Sequence, residues 1–295
     1  MPPSQISAWR AVARVLRSPL DAVSCAAFPS RCRLCDHPLI HFRQTPVCQQ
    51  CWLELQQQSP IDLCTICGEH LGWGDLRFSP RSGTDVRSLC ELCERARPPF
   101  VQAAAYGVYA DTLRALIHLL KYERVPPVAV PLGALLAQSV QHFGNLPAHM
   151  TVVAVPLHAG KQRERGFNQS ALLAAAAVRA LGRIRPQTHF TAAFHALERS
   201  RGTDSQSNLT PRQRRLNLRG AFSLGRPEQI AGRAILLLDD IYTTGATARE
   251  CTRTLLGAGA ASVHVATLAR SQREGIAFWD TAAAGKNAFG DSRFT

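Results

Sequence analysis

The chain has 295 residues, enough for two domains, and its 46% hydrophobic and 19% charged residues are typical of globular rather than disordered proteins. Its apolar runs fall short of the roughly 20 residues of a membrane helix, so no membrane span is expected. The formal net charge is +13, and basic residues concentrate between positions 161 and 233, which favours phosphate-rich or nucleic-acid partners.

Residues 1–30 are predicted to form an amphipathic helical segment, because their apolar side chains recur at helical spacing. These apolar residues are Trp9, Val12, Ala13, Leu16 and Leu20. Arg10, Arg14 and Arg17 interrupt the segment, which argues against a signal peptide. A cytoplasmic location is therefore expected.

Residues 31–97 contain eight of the ten cysteines of the chain, arranged as four C-x₂-C motifs. This spacing lets both sulfurs of a motif face one metal ion, so four motifs predict two tetrahedral zinc sites. Taken in sequence, the motifs form one site from Cys32, Cys35, Cys48 and Cys51 and a second from Cys64, Cys67, Cys90 and Cys93. An interleaved pairing is the alternative.

Four thiolates per metal leave no open coordination position, so both zinc sites are expected to be structural. The resulting double zinc ribbon could bind nucleic acid, bind protein or brace the fold, and the sequence leaves these three roles open. The other two cysteines, Cys25 and Cys251, are expected to be ordinary small apolar residues, with Cys251 on a helix.

Residues 98–272 alternate between strand-like and helix-like patterns. Strands are expected over 100–109 (or a hairpin arm), 151–156, 234–238 and 262–268, and helices over 113–120, 132–143, 168–181 and from 246 onward. A basic loop is expected over 158–166, and the segment 190–197 is ambiguous. This alternation predicts a parallel sheet covered by helices. The tail, 273–295, lacks periodicity and is expected to be a flexible end.

The most informative motif runs from the apolar segment 234–238 through two carboxylates into a loop of small residues. Asp239 and Asp240 stand where the strand is expected to end, and Thr243, Thr244, Gly245, Ala246 and Thr247 follow them. Ligands of open α/β sheets bind at the carboxyl ends of strands. A helix N-terminus offers N–H groups to a phosphate, and paired carboxylates suit ribose hydroxyls or Mg²⁺.

Two other interpretations of this motif are open. Strands that end in two aspartates also occur in phosphoacceptor domains and in phosphatases with an aspartyl nucleophile, but those sites do not require the threonine-rich loop. The segment could also be a purely structural turn between a strand and a helix.

The motif at 239–247 resembles the signature of type I phosphoribosyltransferases that binds 5-phosphoribosyl-1-diphosphate (PRPP). Three further segments, 120–122, 155–169 and 201–222, resemble ComF-type competence proteins in the same order, as do the cysteine motifs. The resemblance covers about residues 25–270. It implies a type I phosphoribosyltransferase-like parallel sheet flanked by helices and preceded by a small double zinc-ribbon domain.

The same resemblance implies Mg²⁺-dependent displacement of pyrophosphate from PRPP, with Asp239 and Asp240 as the candidate catalytic residues. The loop 243–247 would hold the 5′-phosphate, Lys161 and Arg165 the pyrophosphate, and Arg201, Gln206 and Arg214 would close over the site. An arginine usually stands where this chain has Lys161, so a bidentate grip on pyrophosphate becomes a single contact. His158 is a weaker candidate base.

The acceptor of the phosphoribosyl group is not identified by the sequence. The resemblance implies a link to DNA uptake or DNA utilisation, with single-stranded DNA or a protein of the uptake machinery as possible partners. The alternative function is a non-catalytic PRPP sensor or an adaptor of the DNA machinery that uses the zinc ribbons and the basic surface.

Overall fold

A computed structural model describes residues 31–39, 45–55, 63–71, 88–200 and 218–272. The predicted N-terminal helix, the tail 273–295 and the three candidate closing residues Arg201, Gln206 and Arg214 lie outside these ranges. Within the described ranges, no helix is both long enough and apolar enough to cross a membrane.

The centre of the molecule is a five-stranded parallel sheet in the order β1-β7-β6-β2-β3. Its strands are β1 (Gln102–Val108), β2 (His149–Ala154), β3 (His189–Ala192), β6 (Ala234–Tyr242) and β7 (Ser262–Arg270). A separate antiparallel pair consists of β4 (Leu197–Arg199) and β5 (Phe222–Leu224). The predicted α/β fold with a parallel sheet is confirmed.

Seven α-helices occur in the described part of the chain. They are α1 (Gln49–Glu54), α2 (Glu91–Arg95), α3 (Asp111–Lys121), α4 (Ala129–Ser139), α5 (Ala159–Arg165), α6 (Gln169–Ile184) and α7 (Ala246–Gly257). Short 3₁₀ turns cover Pro126–Val128, Val140–His142 and Pro227–Gln229. The helix expected over 132–143 thus ends earlier as an α-helix and finishes as a 3₁₀ turn.

The structure corrects two other expectations about local elements. The basic segment expected as a loop over 158–166 is helix α5, because the His158 side chain caps it by accepting a hydrogen bond from the Gly160 N–H at 3.2 Å. The strand expected over 234–238 continues to Tyr242, since pairing with β7 continues past the two aspartates to Tyr242 and Arg270.

The sheet separates two hydrophobic cores. Helices α3, α4 and α6 pack in one core, and α7 packs in the other. Helices α4 and α6 approach closely at Gly133, where an added Cβ would lie 2.3 Å from the Cβ of Ala176. This close approach explains why only a residue without a side chain fits at position 133.

Each cysteine cluster extends a different core of the sheet. Cys32, Cys48 and Cys51 belong to the core of α3, α4 and α6, whereas Cys64, Cys67, Cys90 and Cys93 belong to the core of α7. Two hydrogen bonds tie the clusters to edge strand β1: Tyr106 Oη donates to Leu55 O at 2.8 Å, and Ala103 N to Ile66 O at 2.6 Å. The ribbons therefore brace the sheet and cover its edge.

Candidate functional site

The eight cysteines of the C-x₂-C motifs form two clusters, each with all sulfurs within 4.8 Å of one another. In the first cluster, the Sγ atoms of Cys35 and Cys48 are 3.5 Å apart, and those of Cys32 and Cys51 are 3.9 Å apart. Tetrahedral zinc with Zn–S bonds of about 2.3 Å places sulfurs about 3.8 Å apart. Both clusters therefore suit structural zinc, and they group the motifs sequentially rather than interleaved.

The acidic pair lies at the carboxyl end of β6, opposite the last residue of α3. Asp240 is 5% exposed, and its Oδ1 lies 2.8 Å from Lys121 Nζ. The other oxygen, Asp240 Oδ2, is buried and has no hydrogen-bond partner among the described residues. A buried carboxylate oxygen without a donor is costly, so this atom suits a ligand hydroxyl or a cation.

Asp239 is partly exposed, but protein atoms surround most of its carboxylate. Its Oδ1 accepts hydrogen bonds from Ser170 Oγ and from the backbone N–H of Asp240, both at 2.9 Å. Burial, and then the charge of Asp240, raise the pKa of Asp239 from 3.8 to about 7. The carboxyl group is therefore poised to lose its proton at neutral pH when a positive charge arrives.

The loop after β6 presents the N-terminus of α7. Gly245 is the N-cap residue with φ of +72°, a conformation that glycine adopts without steric cost. The first N–H groups of a helix have no partner inside the helix, and the helix dipole adds positive potential there. Thr243 is exposed and Thr247 half-buried, so hydroxyl groups line the same bend. This arrangement can bind a phosphate group.

A cavity of about 20 Å³ lies beneath this loop, lined by residues that include Asp239, Tyr242 and Thr247. That volume is about the size of one water molecule. This cavity is therefore too small for a ligand much larger than water.

Lys161, Arg165 and Arg199 form a group of cationic side chains whose charges interact. Burial, and then the positive charges of Arg165 and Arg199, lower the pKa of Lys161. The charge of Arg199 also acts on Asp239. The positive charges of Arg165 and Arg199 around Lys161 favour an anionic ligand in this region.

Arg165 makes two contacts with residues outside this group of cations. Its guanidinium lies 5.2 Å from the centre of the Tyr122 ring and donates to Gln169 Oε1 at 3.0 Å. These contacts orient the Arg165 side chain, which is also the neighbouring charge that lowers the pKa of Lys161 most.

Sequence reasoning missed Lys121 and Arg199 as members of this site. Lys121 had a signal, since it is the centre of the Leu-Lys-Tyr segment quoted for the family resemblance, but only the fold places it against Asp240. Arg199 belongs to β4 and lies just beyond the ambiguous segment 190–197, so no sequence signal pointed to it. The weaker candidate base, His158, caps α5, and Cys251 is buried on α7 as expected.

Comparisons with known proteins identify the family of this chain. A family model described as "Phosphoribosyl transferase domain" matches residues 170–284. The "DNA utilization protein YhgH" of Salmonella typhi is 32% identical over 249 residues, which cover 82% of this chain and 98% of that protein. "Competence protein F" of Haemophilus influenzae is 27% identical over 250 residues, covering 83% of this chain and 98% of that protein.

Among solved structures, a hypoxanthine phosphoribosyltransferase from Staphylococcus aureus is 19% identical, and the match covers 52% of this chain and 70% of that chain. Its TM-score of 0.28 is too low to support any inference. The fold and the family model together define a phosphoribosyltransferase-like protein that carries two four-cysteine clusters. The chain belongs to the family of ComF-type competence and YhgH proteins.

Proposed function

We propose that this protein binds PRPP at the carboxyl end of β6 and, with Mg²⁺, promotes the displacement of pyrophosphate by an unidentified acceptor. The observation that carries the proposal is the buried Asp240 Oδ2, which has no hydrogen-bond partner in the described part of the chain. It stands beside Asp239, directly ahead of a helix N-terminus. A hydroxyl-bearing, phosphorylated ligand satisfies both features at once.

The ribose and its 5′-phosphate would bind along β6 and the following loop. Asp239 and Asp240 accept hydrogen bonds from the 2′- and 3′-hydroxyls, and Lys121 Nζ holds the other side of the Asp240 carboxylate at 2.8 Å. Thr243, Thr244, Gly245, Ala246 and Thr247 surround the 5′-phosphate with N–H and hydroxyl groups.

The pyrophosphate would lie toward Lys161, Arg165 and Arg199, whose charges stabilise it as it leaves. The bond between ribose C1 and the pyrophosphate oxygen breaks, and the pyrophosphate keeps the electron pair. The acceptor forms the new bond to C1 and releases its proton. Bound Mg²⁺ supplies further charge neutralisation of the phosphates, and the carboxylates of Asp239 and Asp240 are the oxygen ligands that suit it. Arg201, Gln206 and Arg214 remain proposed closing residues.

A second candidate function is PRPP sensing without transfer, in a protein that serves DNA uptake or DNA utilisation. The relatives named for DNA utilisation and competence favour a DNA-related role, as does the net charge of +13. Single-stranded DNA or a protein of the uptake machinery is the partner that this role requires.

Calorimetry with PRPP and Mg²⁺ tests the site directly. Asp240→Asn should weaken binding at least a hundredfold, because the amide replaces the acceptor oxygen with a donor and removes the partner of Lys121. Asp111→Asn is the matched control, since Asp111 is exposed at the far end of α3 and should leave affinity unchanged. Equal affinity of Asp240→Asn and wild type would overturn the assignment.

The raised pKa of Asp239 adds a pH signature to the same experiment. Because the ionised carboxylate binds Mg²⁺ and accepts from a ribose hydroxyl more strongly than the protonated acid does, affinity should rise as pH increases from 6 to 8 and then level off. Affinity that is flat across this range would contradict the proposed role of Asp239.

Two further measurements separate transfer from sensing. Release of pyrophosphate in the presence of nucleobases, amines or nucleic acid indicates transfer, whereas PRPP binding without release across that panel indicates sensing. Gel shifts with single-stranded DNA at several salt concentrations test the DNA role, and affinity that does not fall with salt would count against a basic DNA-binding surface.

A further inference from the structure

A buried chain of contacts joins the second cysteine cluster to the loop that follows β6. It begins at Arg270, the last residue of β7, which is only 4% exposed. The Arg270 guanidinium donates to Cys67 O at 2.6 Å and forms an ion pair with Glu69, which is 3% exposed. Both partners belong to the segment that carries the first motif of the second cluster.

The series of buried contacts continues from Arg270 to Tyr242, its partner on the neighbouring strand. The Arg270 guanidinium lies 4.3 Å from the centre of the Tyr242 ring, and Phe100 packs edge-on against that ring at 6.4 Å. The ring is thus held by a cation–π contact and an aromatic contact, and Tyr242 is 6% exposed. Burial raises the pKa of Tyr242 to about 12, so its hydroxyl stays protonated at neutral pH.

Tyr242 lies directly under the N-cap of α7. An added Cβ at Gly245 would lie 2.1 Å from the Tyr242 hydroxyl oxygen and 2.5 Å from the ring carbon that carries it. The Tyr242 side chain therefore fills the space behind Gly245 and limits how far the loop can move inward. The loop rests on a side chain that Arg270 holds in place.

We propose that Arg270 and Tyr242 are positioning residues, through which the metal-loaded second cluster holds the loop 243–247 in its phosphate-binding conformation. This inference rests on the proposed function, because it assigns a determinant of the same PRPP site. The four thiols of the second cluster suit zinc, and the metal holds the backbone around Cys67 and Glu69 against which Arg270 is fixed. Loss of that metal frees Arg270, then Tyr242, then the loop.

The proposal makes a selective prediction about ligands. Ribose 5-phosphate would bind the loop, whereas inorganic pyrophosphate would bind the cations Lys161, Arg165 and Arg199, which are not among the residues of the buried series of contacts described above. Substitutions in this series of buried contacts should therefore weaken the binding of ribose 5-phosphate and of PRPP by a similar factor and leave pyrophosphate affinity unchanged. A general loss of structure would weaken the binding of all three ligands.

The experiment measures the affinities of these three ligands by calorimetry for the zinc-loaded full chain. The first variant combines Arg270→Met with Glu69→Gln, so that no uncompensated charge stays buried. We expect its affinity for ribose 5-phosphate and for PRPP to fall tenfold or more. Tyr242→Phe keeps the aromatic ring, and its affinity for ribose 5-phosphate and PRPP should fall by about threefold. Thermal unfolding and metal analysis must show a folded chain with two zinc ions.

Chelation gives a second measurement that does not depend on catalysis. Coupling between binding free energies is reciprocal, so saturating ribose 5-phosphate should raise the chelator concentration that removes the second zinc at equilibrium from wild type but not from the Arg270→Met, Glu69→Gln variant. Unchanged ribose 5-phosphate affinity in that variant, or the same equilibrium chelator concentration with and without ligand in wild type, would overturn the positioning role alone. Failure of wild type to bind ribose 5-phosphate or PRPP would overturn the proposed function as well.

Discussion

Replacing Asp239 by asparagine should stabilise the protein and abolish ligand binding, with a stability gain that grows with pH. The two hydrogen bonds to this side chain, from Ser170 and from the Asp240 N–H, both go to Oδ1, which an asparagine retains. The substitution therefore removes the buried charge and its repulsion with Asp240 while keeping the local geometry.

The magnitude follows from the pKa of Asp239, which moves from 3.8 to about 7 on folding. The folded state keeps the proton up to about pH 7, while the unfolded chain loses it near 3.8, so stability falls as pH rises through this window. At about 1.4 kcal/mol per pH unit, the full cost is about 4 kcal/mol above pH 7, and about 2 kcal/mol of it develops between pH 5.5 and 8.

Urea unfolding of zinc-loaded wild type and Asp239→Asn at pH 5.5 and 8 measures this effect. The difference in unfolding free energy should increase by about 2 kcal/mol in favour of the variant at the higher pH. Asp111→Asn, at an exposed carboxylate, is the control and should show no such trend. A difference that is the same at both pH values within about 0.5 kcal/mol would refute the claim that folding raises the pKa of Asp239.

Three further predictions concern other parts of the fold. Lys121→Met should destabilise the protein by about 3 kcal/mol, since it leaves Asp240 buried without its cation. In a double-mutant cycle, adding Asp240→Asn should recover most of this stability. If the effects of the two substitutions on stability were additive, a direct interaction between Lys121 and Asp240 would be excluded. Metal analysis should find two zinc ions per chain and only one in Cys93→Ser, and two in that variant would contradict the clusters. Gly133→Ala should lower the unfolding free energy by about 1–3 kcal/mol without changing PRPP affinity, because the new methyl group overlaps Ala176. Thermal unfolding measures this effect. An unchanged melting temperature would show that α4 and α6 separate at no cost.

The sequence alone determined the features that are local in the chain. Four C-x₂-C motifs indicated two thiolate clusters because their spacing brings sulfurs together through short turns, and the structure contains both clusters. The alternation of strands and helices indicated a parallel sheet, which the structure also contains. The segment 234–247 indicated paired acids ahead of a small-residue loop, because a strand, a turn and a helix start are encoded within a few residues.

Only the tertiary structure decided which distant residues meet these motifs. Lys121 reaches Asp240, and Arg270 reaches Glu69 across 201 positions, through the order in which the strands and ribbons pack. Periodicity and spacing report the environment of a residue but not its partner, so neither contact could be read from the chain. The length of β6 and the capped helix α5 also depended on neighbours: a paired strand continues as long as its partner does, and a cap forms where a side chain can turn back onto the backbone.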